Sequence, residues 1–269
     1  MPVYWFALSQ VAHINWANAF SVFIILHLLI YPASNGYNSY MDRDITPVGG
    51  LEHPLQPTDQ LWFVTIIMDV LAVLYSLLLS YYFSIGILFY ILASRAYSYR
   101  KIRLKRYPVI GYLTVVIFQG AVTFFLVFYV CSSNQFKQFP VLAMVASGLL
   151  IGGFYPLTQI YQHQEDYQDG VITLSYKLGY KGTFIFTGIV YVLAFVVLGW
   201  YFHLKSAFYK FMIVQICMLP VIVYFFYWFL KVIKNKSEAN FKNTMRMNIL
   251  AAVFTNLAFI ILLILNSFE

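Results

Sequence analysis

Long apolar runs separated by short polar ones dominate this chain. Residues 16–37, 61–82, 84–98, 108–130, 140–160, 183–203, 208–233 and 246–266 are each predominantly apolar. A helix that crosses a bilayer core needs roughly 20 such residues. Uninterrupted runs of this length predict helices, because a strand cannot satisfy its backbone in lipid outside a closed barrel. The expected fold is all-α and polytopic, a helical bundle of about eight full spans within one domain over residues 1–269. Residues 1–11 are apolar as well, but as a helix they cover only about 16 Å. They read as a stub: the back half of a truncated first helix, or a helix lying in the interface. Runs 61–82 and 84–98 form an expected hairpin turning at 82–84, and Pro108 and Pro140 open their spans, where proline is tolerated.

Composition agrees. Hydrophobic residues make up 61% of the chain and charged residues 10%, against about 25% charged in soluble proteins. The chain is expected to be an integral, multi-pass membrane protein, in the cell inner membrane if bacterial. Net charge is +7, which could suggest nucleic acid, but its placement argues otherwise. Alternating the spans puts loops 38–60, 99–107, 161–182 and 234–245 on one side. All but Lys137, Lys205 and Lys210 of the 17 Lys and Arg residues lie in or beside those loops. Positive loops stay inside, so that side is expected to be cytoplasmic and no nucleic-acid partner is needed. Cys131 and Cys217 lie far apart at or within apolar runs and read as packing residues.

The same loops carry the acids. Asn38 and Asp42 are four apart, one above the other on a helix face, and both offer the oxygen ligands that Mg²⁺ prefers. Glu165, Asp166 and Asp169 form a second cluster at the foot of a later span. Either cluster alone could be a solvated helix end, since caps and loops favour these residues. With the basic loop 100–106 between them, they suit a diphosphate bridged by Mg²⁺ and neutralised by Lys or Arg. One residue in five is aromatic, which suits an apolar tail but equally a membrane core. No zinc-ligand spacing, nucleophile elbow or phosphate-binding glycine loop is present. Asp69 inside a span is a functional candidate or the partner of a neighbouring Tyr, Thr or Ser. His27 reads as a hydrogen-bonded bundle residue, and Gly152, Gly153 and Pro156 as sites of close packing and a kink.

These motifs resemble those of the UbiA-type intramembrane prenyltransferases. Asn38-Ser-Tyr-Met-Asp-Arg-Asp44 is similar to the family's first motif, N-D-x-x-D-x-x-x-D. Tyr97 with Arg103-Leu-Lys-Arg106 resembles its Tyr and basic segment. Glu165-Asp-Tyr-Gln-Asp-Gly-Val-Ile-Thr-Leu-Ser-Tyr-Lys-Leu-Gly179 resembles its second motif, D-x-x-x-D with G-x-x-T-L and a closing L-G. The three stand in the family's order with its spans between them. The resemblance implies transfer of a prenyl group from a prenyl diphosphate, with Mg²⁺, to a lipophilic acceptor, aromatic or quinone-precursor in type, by way of an allylic cation. It implies Asp42, Asp166 and Tyr97 as catalytic, and Asn38, Asp42, Asp44, Glu165, Asp166 and Asp169 as metal-binding. Arg43, Arg103, Lys105, Lys177 and Gln162 would bind the diphosphate, and His163 is a further candidate contact. Three motif aspartates are replaced, by Ser39, Thr46 and Gln162, which leaves two readings: a divergent subfamily with rearranged ligands, or a chain with weakened metal binding. The rival class is a transporter or non-catalytic lipid-binding protein. Acids clustered at one face, with only Asp69 among them in mid-span, favour the enzyme.

Overall fold

A computed structural model describes residues 1–47, 49–132 and 139–268. Lys137, counted above on the less basic side, lies outside the described residues. The helices are α1 (Pro2–Leu8), α2 (Trp16–Asp42), α3 (Asp59–Leu77), α4 (Tyr81–Ser98) and α5 (Pro108–Cys131). After them come α6 (Val141–Thr158), α7 (His163–Gln168), α8 (Leu174–Leu204), α9 (Phe208–Lys234) and α10 (Phe241–Asn266). Among the described residues seven of these are long and apolar enough to cross a membrane. The eighth expected span is α4, equally helical, but it carries Ser94, Arg95, Tyr97 and Ser98.

Consecutive long helices pack side by side from α2 to α6, then α6 against α8, α8 against α9 and α9 against α10. The α5–α6 crossing is close because it is glycine on glycine: a Cβ on Gly120 would lie 2.6 Å from the Gly148 Cα. Small residues let membrane helices approach in this way. Gly152 and Gly153 play the expected part, since a Cβ there would strike Tyr112 at 2.5 Å and Tyr191 at 2.8 Å. Two π-helical turns, Ile25–Ile30 in α2 and Val116–Val122 in α5, lie within the bundle. In α5 the Thr123 hydroxyl donates to the Phe118 carbonyl at 2.8 Å, so a side chain serves a carbonyl of the widened turn.

Three expectations change. The hairpin turns at residues 78–80 rather than 82–84, because Ser80 takes up extended backbone as the N-cap of α4 and Tyr81 and Tyr82 begin that helix. The two tyrosines are exposed, as interfacial aromatics commonly are; by hydropathy they had been merged with the preceding run. The stub α1 is an inner part of the bundle, which fits a partial first helix better than one lying along the surface. It packs against α5, α6 and α10, with Phe6, Ala7 and Leu8 fully buried. Asp69 pairs with Arg95 of α4, not with a hydroxyl residue. His27 makes the expected bundle hydrogen bond, its Nδ1 lying 3.2 Å from the Phe23 carbonyl.

The loops gather at one end of the bundle: Thr46 bonds Glu165, Arg100 meets Asp169, and Tyr161 stacks edge-on against Phe241. The other end is tied separately, through Asn266 to the Ser9 carbonyl and Tyr201 to Gln10.

Candidate active site

Asn38 and Asp42 stand on the last two turns of α2, which ends where Arg43 adopts a left-handed backbone (φ 55°). The Asp42 carboxylate is enclosed by cations: Lys105 bonds one oxygen and Arg103 approaches the other at 3.4 Å. The Asn38 Oδ1 accepts from the Ser98 hydroxyl at 2.7 Å and from Lys105 at 3.4 Å. Arg103 extends the network to α7 by donating to the Asp169 carboxylate and to its carbonyl at 2.9 Å. Its own backbone is left-handed (φ 48°), with its N–H 2.7 Å from the Tyr99 carbonyl. A non-glycine residue held this way marks a turn over-determined by its surroundings. That turn points two buried cations, Arg103 and Lys105, at one carboxylate. Gly111 makes room for it, because a Cβ there would lie 3.0 Å from the Lys105 Cα.

The second acid cluster is placed by the segment with the glycine and threonine spacing. Gly170 (φ 71°) turns the chain out of α7, and Thr173 caps α8 by accepting from the Tyr176 N–H at 3.2 Å. Gly179 (φ 67°, ψ 176°) then kinks α8, and the Thr183 hydroxyl donates to its carbonyl at 2.8 Å. His163 anchors α7 from behind: its Nε2 lies 2.8 Å from the Ser175 Oγ and its ring stacks on Tyr180 at 4.9 Å. Burial lowers its pKa to about 4, so it is a neutral strut, and it does not line the cavity described next.

Both clusters open on one cavity of about 760 Å³. Its mouth is lined by Asp42, Asp44, Glu165, Asp166 and Asp169, with Asn38, Lys105 and Gln162 beside them. Its wall is aromatic, with Tyr90, Tyr97, Tyr155 and Phe118, and Asn248 of α10 closes one side. Tyr97 and Tyr155 join hydroxyl to hydroxyl, and the Gln159 amide donates to Tyr155 at 2.9 Å. Three of the five residues assigned to the diphosphate by resemblance stand outside the cavity wall. Arg43 and Lys177 do not line the cavity; Arg43 is exposed and faces Asp59 at 3.9 Å, and Lys177 is exposed on α8. Arg103 lies behind Asp42 rather than in the wall. Tyr155 and Gln159 escaped the sequence reading, although their four-residue spacing puts them on one helix face. Thr46, at a position where the family has aspartate, holds Glu165 by a hydrogen bond.

The acids are crowded. Burial first, then repulsion from Asp42, Asp44 and Glu165, raises the Asp166 carboxyl to about 7 against the attraction of Lys105. Burial and the charges of Asp42 and Glu165 raise Asp44 to about 6. For Asp169 burial acts in the same direction, but its bond to Arg103 outweighs it and holds the carboxyl below its usual range. Neither Asp44 nor Asp166 has an ion-pair partner among the described residues. The fold therefore holds carboxylates together that only added positive charge would relieve. A stability consequence follows. Groups with raised acid pKa values bind more protons folded than unfolded, so their contribution is present below pH 4 and lost as pH rises through 6 and 7. Thermal unfolding of the metal-free protein in detergent should move to lower temperature between pH 5 and pH 8, and Asp166→Asn should flatten that change.

The sequence matches the UbiA prenyltransferase family over residues 1–251. The chain belongs to that family. As a member it is a prenyl transferase and an integral, multi-pass membrane protein. UbiA homologues of known structure share its fold. One from Aeropyrum pernix superposes with a TM-score of 0.69 at 17% identity, covering 97% of this chain and 95% of that one. A homologue from Archaeoglobus fulgidus, solved bound to GPP and Mg²⁺, gives 0.67 at 16% identity over 97% and 93%. The structure of a digeranylgeranylglyceryl phosphate synthase gives 0.65 at 21% identity over 98% and 91%. No protein of curated function matches the chain in sequence.

Proposed function

We propose that this UbiA-family chain moves a prenyl group from a prenyl diphosphate to a lipophilic acceptor, with Mg²⁺, at the loop-bearing face of the membrane. The observation that carries this reading is the convergence of acids from α2 and α7, with Lys105 between them, on the mouth of one aromatic-walled cavity. The archaeal homologue bound to GPP and Mg²⁺ supports the same choice of donor and metal. The orientation bias of the basic loops supports a cytoplasmic mouth.

The donor set fits the metal. Among the described residues no three acidic or histidine side chains converge into a ready-made cage. Mg²⁺ is commonly held by one or two carboxylates together with phosphate oxygens and waters, not by protein alone. Asp166 and Asp44, crowded and without a cation of their own, are the first candidates, with Asp42, Glu165, Asp169 and Asn38 around them. When bound, the metal would supply charge stabilisation of the departing diphosphate. Lys105 and, behind it, Arg103 neutralise the same group from the protein side. Tyr97 lies where the polar mouth meets the aromatic wall, within reach of the charges of Asp42 and Asp166. There it orients the departing oxygen and screens the allylic cation from water. The aromatic wall holds the tail and excludes the water that would otherwise capture the cation.

The reading is tested by pyrophosphate release from geranyl, farnesyl and geranylgeranyl diphosphates by the purified protein, with membrane extract as the acceptor source. Release that requires both Mg²⁺ and extract is expected, and the Mg²⁺ concentration needed for half-maximal release should rise as pH falls, because protons compete with the metal for Asp166, whose carboxyl is raised in the metal-free site. Release without metal would overturn the role given to Mg²⁺, and no release with any donor would move the chain to a non-catalytic lipid-binding role.

A further inference from the structure

The cations of the loop-bearing face are unevenly matched. Positive loops fix which side of the membrane they take, but not which edge of the bundle. At the mouth of the cavity Arg100, Arg103 and Lys105 meet acids; at the junction of α9 and α10 acids are scarce. Residues 231–246 hold Lys231, Lys234, Lys236, Lys242 and Arg246 against a single acid, Glu238. Glu238 is already engaged, its carboxylate accepting from the Asn243 amide at 2.9 Å and lying 3.8 Å from Lys231. Lys234, Lys236, Lys242 and Arg246 are exposed and have no acidic partner among the described residues. The turn that carries them is fixed, not a loose charged run. Asn235 accepts from the Ser237 N–H at 3.0 Å, and Asn240 caps α10 by accepting from the Asn243 N–H at 3.0 Å. Beneath them the buried Trp228 indole donates to the Glu238 carbonyl at 2.8 Å.

The helix faces below the turn continue the pattern. Phe226, Leu230 and Ile233 are exposed on one face of α9, which ends beside Lys234. On α10 the exposed Val253 and Leu257 lie on the line that Arg246 and Lys242 carry to the helix start. Each face is therefore apolar within the span and cationic at its end. We infer that this edge, from the end of α9 to the start of α10, is a binding surface for an anionic phospholipid of the loop-side leaflet, with acyl chains on the apolar faces and the phosphate on the cations. Each Lys or Arg near an anionic bilayer surface adds about fivefold in affinity. Long basic side chains also reach the headgroup level while their stems cover apolar surface. An acidic soluble protein could reach the turn but not the faces inside the membrane, whereas a phospholipid covers both. None of these cations lines the cavity, so the inference stands apart from the prenyl-transfer reading.

The test is native mass spectrometry of the full chain in detergent micelles, titrated with dioleoyl phosphatidylglycerol or with dioleoyl phosphatidylcholine. The wild type should bind the first phosphatidylglycerol about five- to twenty-five-fold more tightly than phosphatidylcholine, the span of one to two engaged cations. In Lys236→Gln/Lys242→Gln that preference should fall to near unity, and Lys234→Gln/Arg246→Gln takes its place should the first variant fail to fold. Lys101→Gln/Arg106→Gln removes the same charge from another exposed part of the same face and should keep the preference. Equal affinity of the wild type for the two lipids, or a preference that survives in the α9–α10 variants, would overturn the inference. Equal loss in both kinds of variant would do the same, since net charge and not this edge would then be the cause. So would displacement of phosphatidylglycerol by glycerol phosphate at matched concentration, because the ligand would then be a free phosphate and not a lipid.

Discussion

Asp166→Ala should lower kcat for prenyl transfer by about 10²–10³-fold, the effect typical of removing one preorganised group that acts on transition-state charge. Asp166 is the cleanest acid to test. It has no ion-pair partner among the described residues, so its loss leaves no cation stranded. Its carboxyl, raised to about 7 by burial and by neighbouring acids, gains most from an added divalent ion. Folding should survive, and the metal-free protein should if anything be more stable near pH 8, because one repelling charge is gone. The measurement is pyrophosphate release against Mg²⁺ concentration. Asp166→Ala should need far more metal and remain slow at saturation. Turnover unchanged at ordinary Mg²⁺ would remove Asp166 from the metal site. Asp42→Ala is a poorer experiment, since it would also leave Lys105 and Arg103 buried without their shared carboxylate.

Arg95→Ala should destabilise the bundle by about 3–5 kcal/mol, the cost of stripping one partner from a buried ion pair. Arg95 donates through Nε to Asp69 at 2.8 Å, and to the Thr65 hydroxyl and carbonyl at 3.1 Å each. Its guanidinium lies 4.0 Å from the centre of the Tyr37 ring. With side-chain exposures of 16% and 13%, Arg95 and Asp69 are largely withdrawn from the surroundings. One side chain thus fastens α4 to α3 and touches α2, just ahead of Tyr97 and Ser98. Unfolding by SDS titration in mixed micelles would measure the loss. Arg95→Met combined with Asp69→Leu should recover most of it, because no unpaired charge remains. A double variant no more stable than Arg95→Ala would show that packing around Tyr37, not the charge pair, is what matters.

Helix count, helix order and the two acid-bearing loops were legible because each is encoded locally. A bilayer demands runs of a certain length, and water at the membrane face admits the charges between them. The four-residue interval put Asn38 and Asp42 on one helix face, and resemblance to the family's second motif pointed to Asp166; all three line the same cavity. The glycine and threonine spacing also held its meaning: Gly170 is a left-handed turn and Thr173 an N-cap.

What stayed hidden depends on contacts between distant parts of the chain. Hydropathy merged Tyr81 and Tyr82 with the preceding run, because aromatic residues score as apolar wherever they sit. Asp69 looked like a candidate for a hydroxyl partner because nothing local announces Arg95 as its neighbour. Arg43 and Lys177 lie next to motif residues in sequence but project away from the cavity, while Lys105, more than sixty residues from Asp42, meets it. Gln159 and Tyr155 gain meaning only once Tyr97 arrives from α4. By itself the sequence determined a membrane bundle with acids and bases at one face, since burial in lipid is a property of each segment separately. Only the tertiary structure decided which acid keeps a cation and which is left crowded, because those depend on through-space distances between helices that no local pattern records.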